Sequence, residues 1–212
     1  MQISVLTFPG LTALDAIGPY EVLRSVPNWE VFFVGKERGE VRTDVGSLGI
    51  TVDHDFSERP EADVVLIPGG DGNRALLEDE ETLAWLRQID GGTRWTTSVC
   101  TGALVLGAAG LLTGRKATSH WLYLDQLREY GADPITGRWV QDGKYITAAG
   151  VSAGIDMALH LVGKEVGPEV AQAVQVGIEY DPHPPFDAGS PEKAPASVVE
   201  LVRTYESASA RG

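Results

Sequence analysis

The chain has 212 residues and a mass of 22.7 kDa, the size of one large domain or two small ones. Hydrophobic residues at 43% and charged residues at 22% exclude disordered, collagen-like and coiled-coil classes. With 17 Lys and Arg against 30 Asp and Glu the net charge is −13, so phosphate backbones and anionic membrane surfaces are repelled, and neither nucleic acid nor membrane is an expected partner. A single cysteine excludes an internal disulfide framework.

The opening MQISVLTFPG runs directly into a strand-like pattern, with no basic n-region and no cleavage site, and is not expected to be a signal peptide. Ile3–Phe8 predicts a first strand closed by Pro9-Gly10, and a helix begins near Thr12 and ends in Val22–Ser25. Glu30–Val34 is a second strand, and Val41–Asp53 reads as a hairpin around Gly46 and Gly49. Ala62–Ile67 is almost wholly apolar, as in a parallel strand buried on both faces. A helix follows over Glu78–Ile89, then a strand over Trp95–Val99 and a helix over Thr101–Ala109. The longest apolar stretch, Val99–Leu112, falls short of the roughly 20 residues of a membrane span. Tyr145–Ala148 predicts a late strand, and Ser152–Val166 and Glu169–Ile178 predict helices. Such alternation implies an α/β fold, a mostly parallel sheet with helices on both faces. The whole chain, 1–212, is expected to form one domain. Five of its 12 prolines fall in a loop over 181–195, read either as a surface linker or as a pocket wall, and a last helix covers 196–208. A soluble, cytoplasmic chain is the expectation.

Cys100 is the most informative residue. In Ser98-Val99-Cys100-Thr101-Gly102 it stands between an apolar strand and an apolar helix, the setting of a nucleophile elbow. There a helix N-terminus is expected to lower the thiol pKa and favour the thiolate, and the alternative is a buried structural cysteine. Asp15 follows the first strand among apolar neighbours. It reads either as a helix cap or as a carboxyl with a raised pKa on the same sheet edge as Cys100. Gly70-Asp71-Gly72-Asn73-Arg74-Ala75 fits the dinucleotide pattern G-x-G-x-x-A. The acidic residue at the expected spacing, Asp90, precedes a strand instead of ending one, which favours a simple glycine turn exposing N–H groups. His54, His120, His160 and His183 share no ligand spacing, so no metal site is expected. His183, among prolines, leaves open a Cys–His dyad with Cys100.

Several runs together carry a resemblance: Phe8-Pro9-Gly10, Leu14-Asp15, Gly18-Pro19, Pro68-Gly69-Gly70, Val99-Cys100-Thr101-Gly102-Ala103, Thr118, His120-Trp121, Ala149-Gly150-Val151 and Tyr180-Asp181-Pro182. They make the chain similar to the ThiJ/PfpI superfamily of class I glutamine amidotransferase-like folds, nearest its isocyanide (isonitrile) hydratase branch. The resemblance implies a flavodoxin-like sandwich working as a homodimer, with Cys100 as nucleophile, Asp15 as acid, and no metal or organic cofactor. It implies attack of Cys100 on the terminal carbon of an isocyanide, giving a thioimidate that water converts to an N-substituted formamide. Backbone N–H groups of Gly69, Gly70 and Thr101 are then expected to stabilise charge on the substrate, and the Thr101 hydroxyl to hold the attacking water. Thr101 stands where many superfamily peptidases have His, which argues against peptidase chemistry. Two alternatives remain: another superfamily activity, glyoxalase-type or stress-protective hydrolase, and a ligand-sensing module like those of AraC-type regulators. The segment after Pro195 is too short for the helix-turn-helix domain expected of such a regulator.

Overall fold

Short runs of aliphatic, β-branched and threonine residues supply the strands, and amphipathic runs between them supply the helices. In the computed structural model, which describes residues 1–59 and 61–209, they occur in this order. The first half holds β1 (Gln2–Leu6), α1 (Ala13–Leu23), β2 (Glu30–Gly35), β3 (Gly39–Arg42), β4 (Gly49–Val52), β5 (His54–Asp55), β6 (Val64–Ile67), α2 (Asn73–Leu76) and α3 (Glu80–Asp90). Next come β7 (Trp95–Val99), α4 (Gly102–Ala108), β8 (Lys116–Ala117), a 3₁₀ helix (Leu124–Tyr130), β9 (Asp133–Pro134), β10 (Trp139–Asp142) and β11 (Tyr145–Ala148). The last elements are α5 (Ala153–Val166), α6 (Pro168–Gly177) and α7 (Ala196–Ser209).

The chain divides into two compact units, Met1–Glu179 and Tyr180–Gly212. In the first, a 7-stranded sheet has the order β10-β11-β7-β6-β1-β2-β5. Every pairing in it is parallel except β10 with β11, so the fold is the expected flavodoxin-like α/β sheet. The four β6 residues and the four β11 residues are all buried, which explains their lack of polar alternation. α1, α5 and α6 pack together, while α3 and α4 form a separate group. α3 has Glu80 and Glu81 in its first turn and Arg87 in its last, so its charges complement the helix dipole. The predicted hairpin over Val41–Asp53 is β3 and β4, antiparallel with Val41 opposite Ile50.

Three features depart from the sequence pattern. β10 is an edge strand whose residues alternate between exposed and half-buried, so Trp139–Asp142 lacks the apolar run that marks a central strand. β5, β8 and β9 are two residues each, too short to show any periodicity. The G-x-G-x-x-A segment owes its glycines to packing. A Cβ on Gly72 would lie 2.0 Å from the Pro9 carbonyl oxygen, so this turn is pressed against the loop after β1. In the second unit, residues 181–195 form neither helix nor strand, and α7 spans the predicted C-terminal helix with Val198, Leu201, Val202 and Tyr205 exposed.

Candidate active site

The parallel strands end at one edge, and four loops leaving it converge. These are the loops after β1, β6, β7 and β11, and ligands of open α/β sheets bind at this edge. They bring together Asp15 at the start of α1, Gly69 and Gly70, Cys100 with Thr101, and Val151.

Cys100 occupies the sharp turn from β7 into α4 with φ +57°, a left-handed conformation that a side-chain-bearing residue keeps only where its surroundings impose it. Those surroundings are visible. The Cys100 N–H reaches the carbonyls of Ala148 at 3.1 Å and Ala149 at 3.0 Å, and its carbonyl accepts from Ser119 Oγ at 2.9 Å. Val151, after β11, is also left-handed at φ +41°, unusual for a β-branched side chain. Its N–H, the N–H of Thr101 and the Thr101 hydroxyl bear on the Cys100 sulfur and favour its ionised form.

Asp15 is fully buried. Its Oδ2 accepts from the Gly69 N–H at 2.8 Å, its Oδ1 has no hydrogen-bond partner among the described residues, and the Cys100 side chain lies close by. Burial raises its pKa from 3.8 to about 7; the Gly69 hydrogen bond and the nearby Cys100 thiol pull it back only in part, and the Asp44 charge adds to the rise. Gly69 makes the close approach possible. A Cβ there would lie 2.7 Å from Asp15 Oδ2, 2.7 Å from the Thr101 nitrogen and 2.8 Å from Cys100 Cβ.

Two expectations need correction. The thiol of Cys100 is not lowered into the thiolate range. Burial and the neighbouring Asp15 charge push its pKa up, and the three donors around the sulfur offset that only in part. The acid–thiol pair therefore rests with its proton on sulfur, and Asp15 is the group that changes charge near neutrality. The N–H groups of Gly69 and Gly70 are also engaged within the protein, the first with Asp15 and the second with Thr101 Oγ1 at 3.1 Å.

Asn73 escaped the sequence pattern. It is 3% exposed, and its Nδ2 donates to Thr101 Oγ1 at 2.9 Å. A lone asparagine at the start of the short α2 gives no signal in sequence, Ser119 gave none either, and Val151 stood out only as part of the run Ala149-Gly150-Val151. His54 packs edge-on against Phe32, and His160 contacts Gln141 and lies with its ring tilted against Trp139. His120 lies against Gly150, and His183 is exposed on the proline-rich loop of the second unit. Among the described residues no group of three or more His, Cys, Asp or Glu is placed to hold a metal ion, and no helix is long and apolar enough to cross a membrane. A separate cavity of about 720 Å³, walled by Phe8, Val41, Phe56 and Leu76, includes neither Asp15 nor Cys100.

The chain is thus a doubly wound α/β protein with a buried carboxyl and a cysteine side by side at the carboxyl edge of its sheet. Residues 1–164 match the DJ-1/PfpI family, and the chain belongs to that family. It is 47% identical over 203 residues to isonitrile hydratase of Pseudomonas putida, covering 96% of this chain and 89% of that one. A crystal structure of a ThiJ/PfpI family protein from Pseudomonas syringae superimposes with a TM-score of 0.92 at 41% identity, covering 98% of this chain and 88% of that one. The chain is also 31% identical over 187 residues to the HTH-type transcriptional regulator CdhR of Pseudomonas aeruginosa, 82% of this chain but 53% of the regulator.

Proposed function

We propose that the protein is an isonitrile hydratase: it hydrates an isocyanide to an N-substituted formamide without a cofactor, using Cys100 as the elbow nucleophile and Asp15 as acid and base. The observation that carries this reading is the convergence of Asp15 Oδ2 and Cys100 Cβ on the space beside Gly69, with the carboxyl held at about 7. The likeness to the Pseudomonas putida isonitrile hydratase over nearly the full chain supports it.

The terminal carbon of R–N≡C needs a nucleophile and a proton together, and a thiol beside a carboxylate supplies both. Sulfur attacks the carbon while Asp15 takes the thiol proton and passes it to the same carbon, giving R–N=CH–S–Cys100. Asp15, ionised again, draws a proton from water as its oxygen adds to the thioimidate carbon. Asp15 gives that proton to the nitrogen, then takes the hydroxyl proton of the tetrahedral adduct and passes it to sulfur as the C–S bond breaks, so R–NH–CHO leaves and the thiol is restored. N–H groups of Thr101 and Val151 stabilise the sulfur as it departs. A thiol that must stay reduced fits the cytoplasm, and the exposed apolar residues of α7 support a homodimer.

Turnover of a simple alkyl isocyanide, measured beside methylglyoxal, tests the reading. Formamide production with no methylglyoxal loss supports it, and the reverse would assign the site to another activity of the superfamily. The likeness to CdhR favours a second reading, a sensor domain. Saturable isocyanide binding without turnover would point there.

A further inference from the structure

We propose that Asn73 is a positioning residue that locks the Thr101 hydroxyl as a hydrogen-bond donor to the Cys100 sulfur. A threonine hydroxyl has two acceptor sites and one proton to give. The Gly70 N–H at 3.1 Å and Asn73 Nδ2 at 2.9 Å fill both acceptor sites on Thr101 Oγ1. The proton is left to donate, and the sulfur of the preceding residue, Cys100, whose ionised form this hydroxyl favours, is its assigned acceptor. The amide orientation of Asn73 follows from its neighbour: Nδ2 also faces the Pro68 carbonyl oxygen at 3.5 Å, an atom that only accepts. Asn73 is buried, and its own Oδ1 has no hydrogen-bond partner, so the side chain is retained against the cost of desolvating that oxygen.

The consequence divides labour within the site. With both lone pairs engaged, Thr101 cannot accept a proton from a water molecule, so it does not activate the attacking water. That task falls to Asp15, while Thr101 holds negative charge on sulfur, in attack and in departure. The chain Asn73 to Thr101 to Cys100 is thus a relay of donors, each fixing the next. This assignment rests on the proposed chemistry for its catalytic consequence, but its geometry can be tested without turnover.

The experiment is a double-mutant cycle with Asn73→Leu, close in shape but without a donor, and Thr101→Val. The rate of Cys100 alkylation by iodoacetamide is followed from pH 6 to 10, together with kcat and KM for a simple alkyl isocyanide and the melting temperature. The titratable groups bearing on the sulfur are Asp15 and, through it, Asp44. Neither is altered. Asn73→Leu should move the alkylation midpoint to higher pH and slow alkylation at fixed pH by about three- to tenfold, the size of effect expected from weakening one hydrogen bond to a charged group. It should lower kcat more than it changes KM. In the Thr101→Val background the same substitution should have no further effect, because it acts only through the hydroxyl. Additive effects, or an unchanged alkylation profile in Asn73→Leu, would overturn the proposal even if the melting temperature falls. Asn73→Ala replaces the leucine if that variant does not fold. If wild type hydrates no isocyanide while the cycle is non-additive, Asn73 keeps its role and the functional reading fails instead.

Discussion

Replacing Asp15 by asparagine separates what the carboxyl does for chemistry from what it costs the fold. Asp15 is held at about 7 against an ordinary value of 3.8. Between those values the folded protein keeps a proton that the unfolded chain has already released. Stability therefore falls as pH rises through that window, and the whole cost is present above pH 7. Three pH units of displacement correspond to about 4 kcal/mol. The asparagine side chain of Asp15→Asn keeps the acceptor for the Gly69 N–H but cannot ionise, so the variant should be about 2–4 kcal/mol more stable than wild type at pH 8, with little advantage at pH 4. Turnover should fall by about 10²–10⁴, the contribution of a positioned acid–base group. Removing the charge that holds the thiol up should also let Cys100 alkylate faster at pH 8. Urea unfolding at the two pH values, read beside isocyanide turnover, makes the comparison. Wild-type stability that does not fall between pH 4 and 8, or an asparagine variant with near-wild-type turnover, would refute the reasoning. If His183→Ala instead abolished turnover, the acid–base role would belong to the proline-rich loop.

Gly69→Ala should lose nearly all turnover and about 1–3 kcal/mol of stability, because the new methyl enters the contact between Asp15 Oδ2 and Cys100 Cβ; normal activity in this variant would contradict the packing. Sedimentation equilibrium at micromolar concentration should give twice the 22.7 kDa chain mass, and a monomer would contradict the homodimer. Leu201→Glu on the exposed face of α7 should shift that mass toward the monomer, and an unchanged dimer would place the interface elsewhere.

The fold was legible because its central strands are apolar on both faces and the segments between them keep helical spacing, as in Val64–Ile67 and Glu80–Asp90. Edge strand β10 was not, since an edge needs no buried run. The placement of Cys100 and Asp15 at one sheet edge was readable from their neighbours in the chain. The proton affinity of the thiol was not, because it depends on burial and on a carboxylate that is remote in sequence. Helix-end chemistry alone gave the wrong direction, and desolvation decided it. Asn73 was invisible for a related reason: its partners, Gly70 and Thr101, meet only when two sheet-edge loops are brought together. The glycines of the G-x-G-x-x-A run illustrate the converse, a motif in sequence that the fold uses to pack one loop against another.

The most direct test of the account is intact-mass analysis of wild type and Cys100→Ala after brief exposure to an alkyl isocyanide, with the product followed by proton NMR. Wild type should form the N-alkylformamide and, on acid quenching, carry an adduct of one isocyanide mass on its single cysteine. Cys100→Ala should fold and show neither. Formamide produced by Cys100→Ala at the wild-type rate would contradict the covalent mechanism.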